Sequence, residues 1–538
     1  MIPLIPLPKH WTSLQRAFVH QARAGGGRPA MADSSNAKLT YGETLLRAVV
    51  LSRVLKRLLG SEAYVGLLIP PTVPSSAANI ALTLLGKIPV NLNYTASQDL
   101  VNSSIDQCGI KHVLTSRKVL EKFGIEPKGT LIFLEDIPAQ VKLSDKLMGA
   151  AIAKFAPISA LGAFLPGLKG DNLDDAATVI FTSGSTGEPK GVVLSNRNVL
   201  SNVWQVNQQI HLLPDEVVLG ILPFFHSFGF TVTIWTVLTL GKKVVYHINP
   251  LDARIIGDLC EKHGVTMLVG TPTFMRHYLI KCGFHQFKTL KHLLLGAEKL
   301  KPEFAREIKG KLGIEPLEGY GCTELSPVAA VNVPHELTLP DGRLTSGNHL
   351  GTVGRPLPGT LIRTLDPETG ALLQAGASGM ILVKGPQVMV GYLNHPEATA
   401  KATRDGWYNT GDIGHIDTDG FLHITDRWAR FAKVAGEMVP LSRVEGAIQE
   451  LSAAEEPCVG VTALPDPKRG ERVFVVYTAA LGLSPAEVHK RLLAGALPKL
   501  WVPSAEDFVE VAELPTTAGL KKIDLNGLKR IAAERLPV

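Results

Sequence analysis

An alternation constrains this chain more than anything else in it. Short apolar runs recur along the first three hundred residues: "YVGLLI" (Tyr64–Ile69), "HVLTS", "LIFLE", "ATVIF", "KKVVYHI" (Lys242–Ile248) and "TMLVG" (Thr266–Gly270). Stretches of helical periodicity lie between them, such as "TLLRAVVLSRVLKRLL", which Thr40 and Glu43 introduce with a capping-box pattern. Strands without a polar face must be covered on both sides. Alternation with helices therefore implies βαβ units and a largely parallel sheet, an α/β fold.

The texture changes twice. Glycines and prolines become frequent over 347–426 and the strands shorten, as in "GMILVKG", which indicates a small β-rich subdomain. Beyond Arg427 a compact α/β unit follows, with "RVEGAIQEL", "CVGVTAL", "RVFVVYTA", a helix capped at Ser484-Pro485 and a last helix to Arg535. The expected organisation is a large N-terminal domain, 1–426, of parallel-sheet α/β subdomains, followed by a small mobile C-terminal domain, 427–538.

"TVIFTSGSTGEPKGVVLSNRNV" (Thr178–Val199) contains the richest local signal. It reads as strand, Gly/Ser/Thr loop, helix. Small residues let backbone N–H groups converge on an anion, hydroxyls add donors, and Lys190 supplies a mobile positive charge. A Walker A loop is excluded, because Pro189 precedes the lysine and Gly191 follows it. The stretch does not fit G-x-G-x-x-G either. It predicts a phosphate loop of another kind.

"TSGSTGEPKG" resembles the signature loop of the adenylate-forming enzymes, the superfamily of acyl-CoA synthetases, luciferases and peptide-synthetase adenylation domains. "EGYGCTE" (Glu318–Glu324), "YNTGD" (Tyr408–Asp412), "DRWARFAKVAGEM" (Asp426–Met438) and "LPTTAGLKKID" (Leu514–Asp524) continue the likeness in order. "RFAKVAGEMVPLSRVE", "LLLGAEKL" and "LPFFHSFGFTV" are similar to the acyl-[acyl-carrier-protein] synthetase half of the bifunctional 2-acylglycerophosphoethanolamine acyltransferases, here as a stand-alone version.

The resemblance implies ATP-dependent activation of a fatty acid as acyl-AMP, then transfer to a phosphopantetheine thiol, on acyl-carrier protein or CoA. It implies that Thr182, Ser183, Gly184, Ser185, Thr186, Gly187 and Lys190 hold the β- and γ-phosphates. Gly296, Ala297 and Glu298 would line the nucleotide, Tyr320 would lie against adenine and Thr323 near the α-phosphate. Glu324 would ligate Mg2+, a hard cation suited to a carboxylate. His226 would sit near the acyl carboxylate, and Asp412 and Arg427 at the ribose. The adenylation lysine is Lys521 by counting from Pro515 and Lys522 by aligning "KID". Lys433 and Gly436 would serve thiol transfer. Two positions depart from the family pattern: Leu520 stands where glycine is expected, with Gly519 displaced, and Ala429 where the hinge has Asp or Lys. They support a competing reading, a nucleotide-binding protein without turnover that acts as a regulatory or lipid-carrier partner.

Bulk properties narrow the rest. A net charge of +6 with no Lys/Arg run argues against a nucleic-acid partner. Five scattered cysteines without a CxxC pair argue against zinc and suit a reducing, cytoplasmic setting. "MIPLIPLPKHW" lacks the apolar core of a signal peptide. The run Leu147–Leu168 is nearly long enough to span a bilayer, but Lys154, Pro157 and Pro166 interrupt it. It reads as a packed or surface helix, or as a helix lying on the inner face of a membrane. "GFTVTIWTVLTLG" (Gly229–Gly241) reads as a core helix or as the wall of a lipid tunnel.

Overall fold

The computed structural model describes residues 3–182, 188–339, 341–454, 456–495, 497–516 and 523–534. The chain forms two compact units. The larger reaches Thr410 and includes His415–His423; the smaller takes in Gly411–Gly414 and the chain from Ile424 onward.

The larger unit is built on a nine-stranded sheet. Its centre is a run of six parallel strands, in the order Leu317–Gly321, His292–Leu295, Met267–Gly270, Val217–Gly220, Lys243–Tyr246, Pro29–Asp33. Antiparallel strands close both edges. Met267–Gly270 is buried at every residue, as a strand covered on both faces must be. Helix Ala253–His263 returns the chain across one face, burying Ala253, Ile256, Gly257, Leu259 and Cys260, and ends at Gly264 in the left-handed region, φ 61°. A second, four-stranded parallel sheet runs Ile88–Asn91, Tyr64–Leu68, His112–Thr115, Thr130–Phe133. The helix leading into it, Tyr41–Leu58, starts at the expected capping box: Thr40 Oγ1 accepts from the Glu43 N–H at 3.2 Å and the Glu43 carboxylate from the Thr40 N–H at 2.8 Å. The β-rich region carries Leu361–Leu365, Gly379–Lys384 and Trp407–Ile416 side by side.

Two expectations change. After the Gly/Ser/Thr loop the chain forms a strand, Lys190–Ser195, antiparallel to Ala176–Thr182, with Thr182 opposite Lys190. The β-branched pair Val192-Val193 favours that pleat. The helix begins only at Asn196, where Ser195 and Asn198 form the capping box. The run Leu147–Leu168 is not one helix. Helix Leu143–Lys154 stops ahead of Pro157, and two short 3-10 turns follow, Ile158–Ala163 and Pro166–Leu168. Gly229–Thr236 is a π-helical turn with every residue buried, so the core reading holds there. Gly229 is required by packing, since a Cβ would lie 2.1 Å from the Pro223 carbonyl oxygen.

The smaller unit has its own sheet, Glu437–Pro440, Phe431–Val434, Gly470–Tyr477, Val459–Asp466, with Phe508–Glu510 parallel to Gly470–Tyr477. Val444, Ile448, Val461, Val475 and Val488 form its core. The helix at Ser484-Pro485 is capped as expected, and the last helix is Leu525–Ala533.

Candidate active site

Four neighbouring parallel strands of the large sheet present their carboxyl ends together. Val217–Gly220 leads to His226; Met267–Gly270 leads to Thr271 and helix Pro272–Lys281; His292–Leu295 leads to Gly296, Ala297 and Glu298; Leu317–Gly321 carries Tyr320 and leads to Thr323 and Glu324. In open α/β sheets this edge is where loops converge on ligands.

Backbone constraints shape it. Gly321 lies so close to the Pro327 carbonyl that a Cβ would stand 1.9 Å from the oxygen. Cys322 N–H donates to the same oxygen at 3.0 Å, turning the chain into the 3-10 turn Thr323–Leu325. Ala297 is left-handed at φ 65°. The Glu298 carboxylate accepts from the Thr273 hydroxyl at 2.6 Å and the Thr273 N–H at 3.3 Å, so its side chain ties down the start of helix Pro272–Lys281. A Cβ on Gly296 would meet the Gly319 carbonyl at 3.4 Å and the Phe228 ring at 3.6 Å.

The strands Ala176–Thr182 and Lys190–Ser195 reach this edge through a third strand. Gly391–Tyr392 pairs with Lys190–Ser195, placing Tyr392 opposite Val192, and Leu393 N–H donates to the Gly191 carbonyl at 2.7 Å. Glycine is needed at 191 because a Cβ would lie 2.9 Å from Val179 and 3.1 Å from the Phe181 ring. Lys190 Nζ then sits 5.5 Å from the centroid of the Tyr392 ring. The Tyr392 hydroxyl donates to Glu324 Oε1 at 2.8 Å, and Met389 N–H donates to the Glu324 carbonyl at 2.8 Å. Tyr408 hydrogen-bonds the Tyr392 hydroxyl. Burial, then the negative charge of Glu324, raises the Tyr392 phenol, so it stays a donor. Burial does the same to Tyr408. On the other side of the turn, Ser227 Oγ lies 3.5 Å from Thr323 Oγ1. Lys190, Tyr392, Glu324, Thr323 and Ser227 thus form one connected line.

His226 is half-buried, its ring 4.5 Å from that of Phe225. Glu318, at the base of the same strand as Tyr320, is 8% exposed and accepts from Leu300 N–H at 3.1 Å; burial pushes its carboxyl up to about 7.

In the smaller unit, buried Asp412 pairs with Arg427, Oδ1 to Nε at 3.0 Å, while the Arg427 side chain stays 66% exposed. Lys433 is exposed on Phe431–Val434, and its N–H donates to Glu471 Oε2 at 2.5 Å. Ala435 and Gly436, φ 49° and 87°, form the two-residue tip joining that strand to Glu437–Pro440. Ser183, Gly184, Ser185, Thr186, Gly187, Lys521 and Lys522 lie outside the described residues.

Sequence reading missed Tyr392 and Ser227. Tyr408 stood inside the quoted "YNTGD" without a role. Among the described residues no group of three His, Cys, Asp or Glu side chains converges as a metal nest. A single carboxylate is enough where phosphate oxygens complete a Mg2+ shell, so Glu324 fits that ion.

In the larger unit an antiparallel strand pair and an acidic turn meet at the carboxyl edge of a parallel sheet, and the smaller unit carries an Asp–Arg pair of its own. The AMP-binding enzyme family matches residues 18–393, and the chain belongs to that family. A long-chain-fatty-acid–CoA ligase of Bacillus subtilis is 34% identical over 359 residues, 64% of this chain and 60% of that protein. A protein of the same description from Salmonella typhimurium is 28% identical over 505 residues, 87% of this chain and 86% of its own. The crystal structure of ATP-bound MatB from Rhodopseudomonas palustris superposes with a TM-score of 0.76 at 26% identity, covering 96% of this chain and 98% of that one.

Proposed function

We propose that the protein activates a fatty acid with ATP as acyl-AMP and transfers the acyl group to a phosphopantetheine thiol. The observation that carries this reading is the line from Lys190 through Tyr392 to Glu324 at the carboxyl edge of the sheet, in a member of the AMP-binding family. In the first half-reaction a carboxylate oxygen attacks the α-phosphorus, and the bond to the bridging oxygen breaks to release pyrophosphate. Two anions meet, so positive charge and donors must gather there. Lys190 and the loop Thr182–Gly187 hold the β- and γ-phosphates. Thr323 faces the α-phosphate and Glu324 holds Mg2+, which neutralises phosphate charge when bound. Tyr320 and Gly296–Glu298 border the base, Asp412 with Arg427 the ribose, and His226 the acyl carboxylate. Lys521 or Lys522 supplies the cation of adenylation. In the second half-reaction the thiol sulfur attacks the acyl carbon and AMP leaves; the exposed Lys433 and the open hairpin tip at Gly436 serve this step.

The fatty acid rests on the descriptions of the two ligases above, both of which name CoA as acceptor. Acyl-carrier protein as acceptor rests on "RFAKVAGEMVPLSRVE", "LLLGAEKL" and "LPFFHSFGFTV". A cytoplasmic setting follows from the cysteine pattern, and among the described residues no helix is long and apolar enough to cross a membrane. The segment 147–168 supplies a peripheral contact with the inner membrane face. The test is acid-dependent release of AMP and pyrophosphate across a matrix of fatty acids against CoA and phosphopantetheinylated carrier protein, with Lys521→Ala and Lys522→Ala assayed separately. ATP binding without acid-dependent pyrophosphate exchange would overturn the reading in favour of a nucleotide-binding protein without turnover.

A further inference from the structure

Helix Leu143–Lys154 is apolar on two sides. Its inner side is fastened to helix Tyr41–Leu58: Asp145, buried, accepts from Arg57 at 2.8 and 2.9 Å and from Arg53 at 3.3 Å. Gly149 lies so close to that helix that a Cβ would stand 2.6 Å from Val50 Cγ2, and Ile152 and Ala153 are buried beside it. The outer side therefore cannot roll inward. It leaves Leu143 71% exposed, Leu147 63% and Met148 40%; Phe155, at the helix end, is 80% exposed. An ordinary surface helix has a polar outer face.

The exposed charges of the helix and its N-cap share one sign. Lys142, Lys146 and Lys154 are exposed, and the only acid of the helix, Asp145, is spent on Arg53 and Arg57. The chain then runs through the turn Ile158–Ala163 to Phe164, 45% exposed, which borders a surface hollow lined by Arg53, Lys56, Arg57 and Pro166. Large exposed apolar side chains interspersed with exposed lysines match a surface with an apolar interior and anionic heads. A second copy of the chain is a poor match, because the lysines of the two faces would meet. At twelve residues the helix is about 18 Å long, too short to cross a bilayer, so it lies in the plane.

We infer that the outer face of Leu143–Lys154, with Phe155 and Phe164, docks the protein on an anionic lipid bilayer. This deepens the fatty-acid reading, since a long-chain acid partitions into such a surface, but the contact stands on the residues of the face alone.

The test uses the full chain and vesicles of phosphatidylcholine, alone or mixed with phosphatidylglycerol. Co-sedimentation with the mixed vesicles, loss of it in high salt, and little binding to phosphatidylcholine alone are expected. Leu147→Glu and Phe155→Glu should each weaken binding by about tenfold, and Lys146→Glu with Lys154→Glu by a similar factor. These side chains are exposed, so melting temperatures should hold, and the ligase assay on detergent-dispersed acid should be unchanged. Equal binding by Leu147→Glu, or no preference for the anionic vesicles, would overturn the inference. So would a dimer of the parent chain that Leu147→Glu dissociates, which would give the face to a second copy. A chain that docks without forming acyl-AMP would sink the enzymatic reading and leave this one standing.

Discussion

The phenol of Tyr392 is the residue on which the site turns. It donates to one oxygen of Glu324 and offers its ring to Lys190, so it fixes the acid and the cation relative to each other. Tyr392→Phe keeps the ring and removes the hydrogen bond. A hydrogen bond to a charged group contributes about 1.5–3 kcal/mol, so acid-dependent pyrophosphate exchange should fall by roughly ten- to a hundredfold. The Mg2+ concentration giving half-maximal ATP binding, read by calorimetry, should rise, while the melting temperature moves little. An unchanged Mg2+ dependence would show that Tyr392 does not orient Glu324. Glu318 makes a second case. Burial raises its carboxyl to about 7 in the folded chain, above the usual 4.5. Between those values the folded state binds more protons than the unfolded one, so this group lowers stability as pH rises through the window. At 1.36 kcal/mol per unit the upper bound is about 3 kcal/mol. Glu318→Gln keeps an acceptor for Leu300 N–H, and its melting temperature should drop less than the parent's between pH 5 and pH 8.

Among elements, the hairpin tip Ala435-Gly436 stores strain. This tip has positive φ at both places, as a type I′ turn requires, and Ala435 meets that with a Cβ at φ 49°. Ala435→Gly should stabilise the smaller unit by up to about 1 kcal/mol, measured by denaturant unfolding. The same scale shows why some elements were legible and others not. Thr40–Glu43 and Ser484-Pro485 announce their helices because capping is local chemistry. The strand Lys190–Ser195 was masked by the strand-loop-helix habit of phosphate loops, although Val192-Val193 and the delayed cap at Ser195 pointed the other way. The strand Gly391–Tyr392 is two residues long and carries no period to detect. Its partner lies near residue 190, and only tertiary closure reveals it. Hence Glu324 and Lys190 could be named from motifs, whereas the tyrosine joining them could not.

At the scale of the whole molecule, two units with separate cores should not melt as one. Ile448 is fully buried in the smaller core. Ile448→Ala, at about 2–5 kcal/mol, should lower one calorimetric transition and leave the other in place. A single transition shifting as a whole would contradict that independence. The alternation of apolar strands and helices was enough to anticipate parallel sheets, because burial on both faces dictates composition. Strand order was not, because Pro29–Asp33 joins the large sheet beside Lys243–Tyr246, a strand far removed from it in the chain.

The pairing of Gly391–Tyr392 with Lys190–Ser195 also sets a timetable for synthesis. A nascent chain that has not yet released its 392nd residue from the ribosome has both ends of the signature loop but lacks the strand that draws them toward Glu324. With the loop in its proposed phosphate-holding role, ATP binding should await the emergence of some three-quarters of the polypeptide, and premature termination upstream of that point should yield fragments blind to ATP.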